Sequence, residues 1–314
     1  MGRGSGFGKA ILFNEHFVVH GVPGIVSAID SAADAEAKKG GKGITVEDER
    51  TGAEGYAEKK RLQQKESIEK MLKAMNIDSQ KVSLRIWLGG NLPGFSGIGA
   101  SAASSVAIAR AVSEELGMGL SDEKINEAAY EAEKAYAGNP SGIDNTAATY
   151  GGLIWFKKNL SGGVNTIERL SIRKPVETVI GNTGIVANTK AMVSGVAERR
   201  QKYSQKYGEL FRQAEDLAFK ARKALEAFDL KQVGKLMNEN HRLLQEIGVS
   251  CKELDYLVDL AREQGAFGAK LTGGGGGGCM VALTPGKDLQ EAVASAMENE
   301  GFEVLRTKIG IQKG

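Results

Sequence analysis

Four stretches place polar side chains or backbone freedom where neither an ordinary core nor an ordinary surface calls for them. Residues 93–112, PGFSGIGASAASSVAIARAV, set glycines at 94, 97 and 99 ahead of a helix opened by Ala100, Ser101, Ala102 and Ala103. A glycine-rich turn feeding a helix N-terminus is an anion site, because the first-turn N–H groups have no partner within the helix and point outward. Ser101 adds a hydroxyl for a phosphate oxygen or for Mg2+. The pattern is not GxxxxGK[ST], which the chain lacks, and it misses GxGxxG because position 102 is alanine. A glycine turn before a small-residue helix packed on a sheet accounts for the same residues equally well.

Residues 133–152, EKAYAGNPSGIDNTAATYGG, hold two carboxylates around a rigid turn. Glu133 falls in the last turn of a helix, where negative charge is mildly unfavourable. Asp144 follows Gly-Asn-Pro-Ser-Gly. Such a pair suits a Mg2+ ligand and a base for a substrate hydroxyl. Taken alone, Glu133 reads better as a solvated helix residue, and Asp144 also reads as an N-cap for 145–150. In residues 8–21, GKAILFNEHFVVHG, Lys9, Glu15, His16 and His20 interrupt what reads as an apolar double strand. Lys9 by itself is more readily an edge-strand lysine, and His241, on an amphipathic helix, a hydrogen-bonded structural residue. Finally, residues 270–283, KLTGGGGGGCMVAL, join two strand-like runs through six glycines. A linker joins polar ends, so this run reads as a loop whose backbone passes close to something.

The elements that must position these residues follow from periodicity. Ile68, Met71, Leu72 and Met75 mark one helix face, 82–88 alternates like a strand, and 100–116 is a buried helix. Ser121 is the expected N-cap of the next helix, closed by Gly138. Residues 190–227 read as one long amphipathic stretch. Ser250 and Glu253 form a capping-box pattern. A helix over 289–299 and a strand over 302–309 end the chain, while 40–56 is polar and turn-rich. Strands and helices alternate without a βαβ period, which predicts an α+β chain. A division into 1–175 and 176–314 is expected.

The 314 residues are 41% apolar and 25% charged, as in an ordinary globular protein. With 41 basic and 39 acidic residues, neither nucleic acid nor an anionic membrane is expected as a partner. No apolar run is long enough for a spanning helix, and MGRGSGFGK has neither a signal-peptide core nor the Ser or Thr of a myristoylation signal. Cys251 and Cys279 have no zinc spacing and fit a reducing, cytoplasmic compartment.

In order, GK-x5-EH-x-VV-x-G, P-x-x-S-G-I-G-A-S-A-A, GNPSGIDN-x-x-x-TYGG and KLTGGGGGGC resemble the GHMP kinases over nearly the whole chain, from about Gly6 to Leu283. The likeness is greatest to members that phosphorylate the 5-hydroxyl of mevalonate. The resemblance implies a two-domain fold, similar to ribosomal protein S5 domain 2 in the first half and ferredoxin-like in the second, with a homodimer as a candidate assembly. It implies that Pro93, Gly94, Ser96, Gly97, Ile98, Gly99, Ala100, Ser101 and Ala102 cradle ATP and that Ser101 and Glu133 hold Mg2+. Asp144 is then the base and Lys9 its cationic partner, with Glu15, His16, His20, Thr272 and Gly273 near the substrate. On this reading the glycine run passes close to phosphates, and Gly275→Val is expected to cost activity more than fold. Asn14, Ala100, Phe7 and Gly274 replace the usual glycine, serine, proline and alanine. Phosphomevalonate or homoserine kinases fit GNPSGIDN less well, and galactokinase is disfavoured because this chain runs Phe17–Val18–Val19–His20 after Glu15–His16, with no acidic residue for sugar hydroxyls. A non-catalytic nucleotide-binding regulator is disfavoured because Lys9, Ser101, Glu133 and Asp144 are all present.

Overall fold

A computed structural model describes residues 1–50, 56–138 and 140–312. The polar stretch 40–56 is therefore described only in part, and Asn139 of the GNPSG turn lies outside the described residues. Packing groups the chain into two interleaved units, one of residues 1–9, 30–95 and 99–151, the other of 10–29, 96–98 and 152–314. Strands β1 (Gly2–Phe13) and β2 (Gly24–Lys39) run through both.

In the first unit, the later half of β2 pairs antiparallel with β4 (Leu84–Gly90), and β4 pairs parallel with β3 (Ile44–Asp48). Helices α1 (Tyr56–Ala74) and α2 (Ala100–Glu115) both pack on α3 (Asp122–Ala137), and α4 (Ile143–Tyr150) packs on α2 and α3. Val106, Ile108 and Val112 of α2 join Met71 and Leu72 of α1 and Ile86 and Leu88 of β4 in one core. The N-terminal glycines find their reason here. Two strand residues advance ~6.6 Å and four helix residues ~6 Å, so alternate β1 positions keep step with successive α2 turns. A Cβ at Gly4 or Gly6 would stand 2.2 Å from the carbonyl oxygen of Ala107 or Ala103.

In the second unit the antiparallel order is β6 (Thr166–Leu170), β5 (Leu153–Lys157), the early half of β2, β10 (Glu303–Ile309), β7 (Val176–Asn182), β9 (Cys279–Leu283) and β8 (Gly268–Thr272). Helices α7 (Leu230–Glu246) and α8 (Lys252–Glu263) pack on β8, and α9 (Lys287–Asn299) packs on β7 and β10. The amphipathic stretch over 190–227 folds as two helices, α5 (Thr189–Lys202) and α6 (Ser204–Glu226), separated at Tyr203, whose φ of −120° and ψ of 53° leave helical geometry. The capping box expected at Ser250 does not form. The α8 N-cap is Cys251, and the Ser250 hydroxyl donates to Asp255 Oδ1 at 2.5 Å instead.

Residues 17–20, expected as a second strand after β1, form a 3-10 turn. Asn14 and His16 both hold positive φ, 70° and 58°, which ends β1. Phe17 N–H then donates to Glu15 O and Val18 N–H to Asn14 O, closing the turn locally rather than pairing it across a sheet.

Candidate active site

In the first unit, Lys9 lies on β1 and is almost wholly buried, with Nζ 3.1 Å from Asp144 Oδ1. Asp144 sits in the first turn of α4, a favourable end for a carboxylate, and the N-cap is Gly142. The capping role open to Asp144 on sequence grounds thus falls to another residue, and its side chain goes to Lys9. The α2 N-cap is Gly99 in left-handed geometry (φ 73°), with no side-chain cap. The first helical bond runs from Ala103 N–H to Gly99 O, so the N–H groups of 100–102 have no partner within the helix. Gly99 has a second reason: a Cβ there would come 2.8 Å from Lys9 Cγ. The phosphate-loop candidate and Lys9 are thus packed together, and one of them would have to shift if residue 99 had a side chain. Ser101 Oγ donates to Glu133 Oε2 at 3.3 Å. Glu133 is buried, which removes the reading of a solvated helix residue. Pro93, Gly94 and Phe95 belong to this unit, whereas Ser96, Gly97 and Ile98 group with the other.

In the second unit, Glu15 is paired with Lys270, a β8 lysine that is completely buried and also donates to Leu271 O at 2.6 Å and Ile11 O at 3.3 Å. The expected substrate contact is therefore engaged internally. His16 Nε2 lies 2.9 Å from Gly274 O, to which it donates, and the buried Nδ1 has no hydrogen-bond partner. Burial, opposed by the Gly274 bond and aided by the His20, Arg199 and Lys270 charges, lowers its pKa to about 4. His241 donates through Nε2 to Asp255 at 3.1 Å and accepts Leu271 N–H on Nδ1 at 3.3 Å. It too is lowered to about 4, chiefly by burial. His20 packs edge-on against Phe211 with centroids 5.4 Å apart, and burial with Arg200 and Lys158 lowers its pKa.

Both pKa values of about 4 lie below the unfolded value, so between pH 6.5 and 4 the unfolded chain binds protons that the native chain does not. The stability these neutral rings contribute is complete above pH 6.5 and is lost as pH falls. At ~1.4 kcal/mol per pH unit, each histidine removes about 2 kcal/mol by pH 5. Urea unfolding at pH 7 and 5 should show this drop, and His241→Gln should shrink it by about half. A pH-independent midpoint would contradict buried neutral histidines.

The glycine run joins β8 to β9, as its flanks indicate. What its backbone approaches is the protein itself. A Cβ at Gly273 would lie 2.5 Å from Gly97 Cα, and one at Gly278 would lie 2.7 Å from Ser96 O. At Gly275, φ is +67° and a Cβ would stand 2.1 Å from Val249 O. The expected effect of Gly275→Val is corrected accordingly. Left-handed strain alone costs ~1–3 kcal/mol, before the collision is counted. The variant should lose both activity and several degrees of melting temperature; a loss of activity with unchanged melting would restore the ligand-approach reading. The Thr272 hydroxyl accepts Ile11 N–H at 2.9 Å, so it ties β8 to β1.

Asn240 and Lys270 were not singled out by sequence reasoning. Lys270 had a signal, a lone cation in the strand GAKLT; Asn240 had none, since its partner is 226 positions away. Among the described residues no group of three or more His, Cys, Asp or Glu side chains gathers as a metal cage, and no helix is long and apolar enough to cross a membrane.

A buried lysine on a carboxylate, beside a glycine-bounded helix N-terminus, is the equipment of a phosphoryl-transfer enzyme, and comparison with known proteins gives the class. The GHMP kinases N terminal domain profile matches residues 64–152 and the GHMP kinases C terminal profile residues 221–303. The chain belongs to the GHMP kinase family, and as a kinase it uses ATP. Its relatives include the mevalonate kinase of Pyrococcus furiosus, 35% identical over 96% of this chain and 94% of that protein. Among solved structures, L. major mevalonate kinase in complex with R-mevalonate is similar at a TM-score of 0.92 and 37% identity, covering 100% of this chain and 97% of that one. The Methanococcus jannaschii mevalonate kinase is similar at a TM-score of 0.79 and 25% identity, covering 98% of each chain.

Proposed function

We propose that this chain transfers the γ-phosphoryl group of ATP to the 5-hydroxyl of mevalonate, giving 5-phosphomevalonate and ADP. The observation that carries the reading is the Lys9–Asp144 contact of 3.1 Å, held against the Gly99 turn at the start of α2. Phosphoryl transfer asks the protein for positioning and charge neutralisation more than for covalent chemistry. Asp144 accepts the hydroxyl proton as that oxygen attacks the γ-phosphorus, and ADP departs with the bonding electrons. Lys9 stabilises the developing alkoxide and the transferred group. Gly94 and 96–102 bind the nucleotide phosphates through main-chain N–H groups, and Pro93, which has no N–H, fixes the backbone at the start of that loop. Ser101 and Glu133, with oxygens 3.3 Å apart, are spaced to be neighbours in one cation's shell and would hold Mg2+. One carboxylate and one hydroxyl match the sparse protein ligation Mg2+ takes alongside ATP phosphates, and the ion would neutralise phosphate charge.

On this reading His16 and Glu15 lie at the substrate site with His20, Thr272 and Gly273 near it, Glu15 being held there by Lys270. A cytoplasmic homodimer is part of the same proposal, as is the sequential division 1–175 and 176–314. Limited proteolysis tests that division, against which stands the grouping of 10–29 with the later residues. An ADP-release assay with Mg-ATP against mevalonate, phosphomevalonate, homoserine and galactose tests the function. Turnover should be confined to mevalonate; preference for another acceptor, or ATP binding without turnover, sinks the reading.

A further inference from the structure

Two of the four non-glycine residues with positive φ among the described residues, Asn14 and His16, flank a single position. Such geometry costs ~1–3 kcal/mol per residue and persists only where the surroundings over-determine it. The surroundings here are amides. Asn14 N–H donates to Asn240 Oδ1 at 3.0 Å, and Asn240 Nδ2 returns a bond to Asn14 Oδ1 at 2.9 Å. The other Asn14 amide hydrogen bonds run to Pro23 O at 2.7 Å and Ala214 O at 2.8 Å. Both asparagines are fully buried. Burying two amides is costly unless every group is met, and a met network fixes one conformation where an apolar pair would leave several.

The next residue of α7, His241, accepts Leu271 N–H, and Leu271 follows the lysine that holds Glu15. Consecutive α7 residues therefore anchor both sides of the turn at 14–16. That turn carries the imidazole whose Nε2 is committed to Gly274 O and whose buried Nδ1 presents a lone pair. A lone pair in this setting accepts a hydrogen bond from an alcohol and repels a carboxylate.

Resting on the proposed function, we infer that Asn240 is a positioning residue: with Asn14 it locks the turn so that His16 Nδ1 accepts a hydrogen bond from a substrate alcohol not being phosphorylated, which for mevalonate is the 3-hydroxyl. Asn240 itself touches no substrate and acts through His16.

The test is a double-mutant cycle read in kinetics. Asn240→Ala should raise the mevalonate KM about tenfold and leave the ATP KM within about twofold. In a His16→Gln background the same replacement should change the mevalonate KM less than about twofold, since the residue it acts through is gone. The substrate analogue lacking the 3-hydroxyl should likewise be blind to Asn240→Ala. An equal rise in both KM values, or an undiminished effect in the His16→Gln background, overturns the inference. If Asn240→Ala does not accumulate folded, Asn14→Gly is read in the same cycle, because glycine accepts a φ of 70° and keeps the main-chain bond to Asn240 while losing the side-chain bonds to Asn240, Pro23 and Ala214. Its expected effect is about threefold, confined to the mevalonate KM. A wild-type chain inactive on mevalonate would instead sink the proposed function, and that is read before any variant.

Discussion

Asp144→Asn should reduce kcat by about 10²–10⁴-fold, the contribution of a positioned general base, with ATP binding changed little. The replacement keeps the shape of the side chain and removes its charge together with its ability to take a proton. The fold should tolerate it, because Asp144 is a third exposed and sits in the first turn of a short helix. Lys9 is the partner that feels the change, since its Nζ lies 3.1 Å from the lost carboxylate. The measurement is kcat for mevalonate phosphorylation beside equilibrium ATP binding. A variant with near wild-type turnover would remove Asp144 from the chemistry. A variant that loses ATP binding to the same degree would make it a structural partner of Lys9 and nothing more.

The largest expected effect on stability comes from Lys270→Met, which leaves the Glu15 carboxylate buried without its cation. Breaking one side of a buried ion pair costs ~3–5 kcal/mol, because the remaining charge keeps its desolvation penalty. Replacing both members is far milder, so Lys270→Met with Glu15→Gln should recover at least half of the loss. Recovery should be incomplete, because Lys270 also donates to the main chain at Ile11 and Leu271. Chemical denaturation of the two variants beside wild type decides it. If the single variant is as stable as wild type, the pair is not what holds residue 15.

Much of the site was legible because chemistry at a helix start or a tight turn needs residues close in sequence. The glycines at 97 and 99, the small residues after them, and the carboxylate after GNPSG are local patterns with local reasons. The elements with a true apolar period lie where it puts them: the face of Ile68, Met71 and Leu72 is on α1, and the alternating run through 84–88 is β4. Residues 17–20 were misread because an apolar run of four has no period of its own. What decided it was left-handed backbone at Asn14 and His16, stabilised by partners far along the chain. Ser250 was misread for a related reason: its hydroxyl had two candidates, the nearby main-chain N–H groups and Asp255, and the carboxylate won.

The six glycines show where the line falls. From the sequence alone it follows that they are not a linker, since strand-like runs stand on both sides. The order of the motifs around Lys9, Ser101, Glu133 and Asp144 also carries the resemblance to one kinase family, and that resemblance is what proposes these residues for the site. Only the tertiary structure determined why three of the glycines exclude a side chain. At Gly273, Gly275 and Gly278 the neighbours that exclude a Cβ are Gly97, Val249 and Ser96, 26 to 182 positions away, and no local pattern records them. The same holds for Lys9 on Asp144 and for Lys270 on Glu15, pairs 135 and 255 positions apart. Propensity and periodicity act over one or two turns of chain, whereas burying a charge is settled by whichever opposite charge the fold brings beside it.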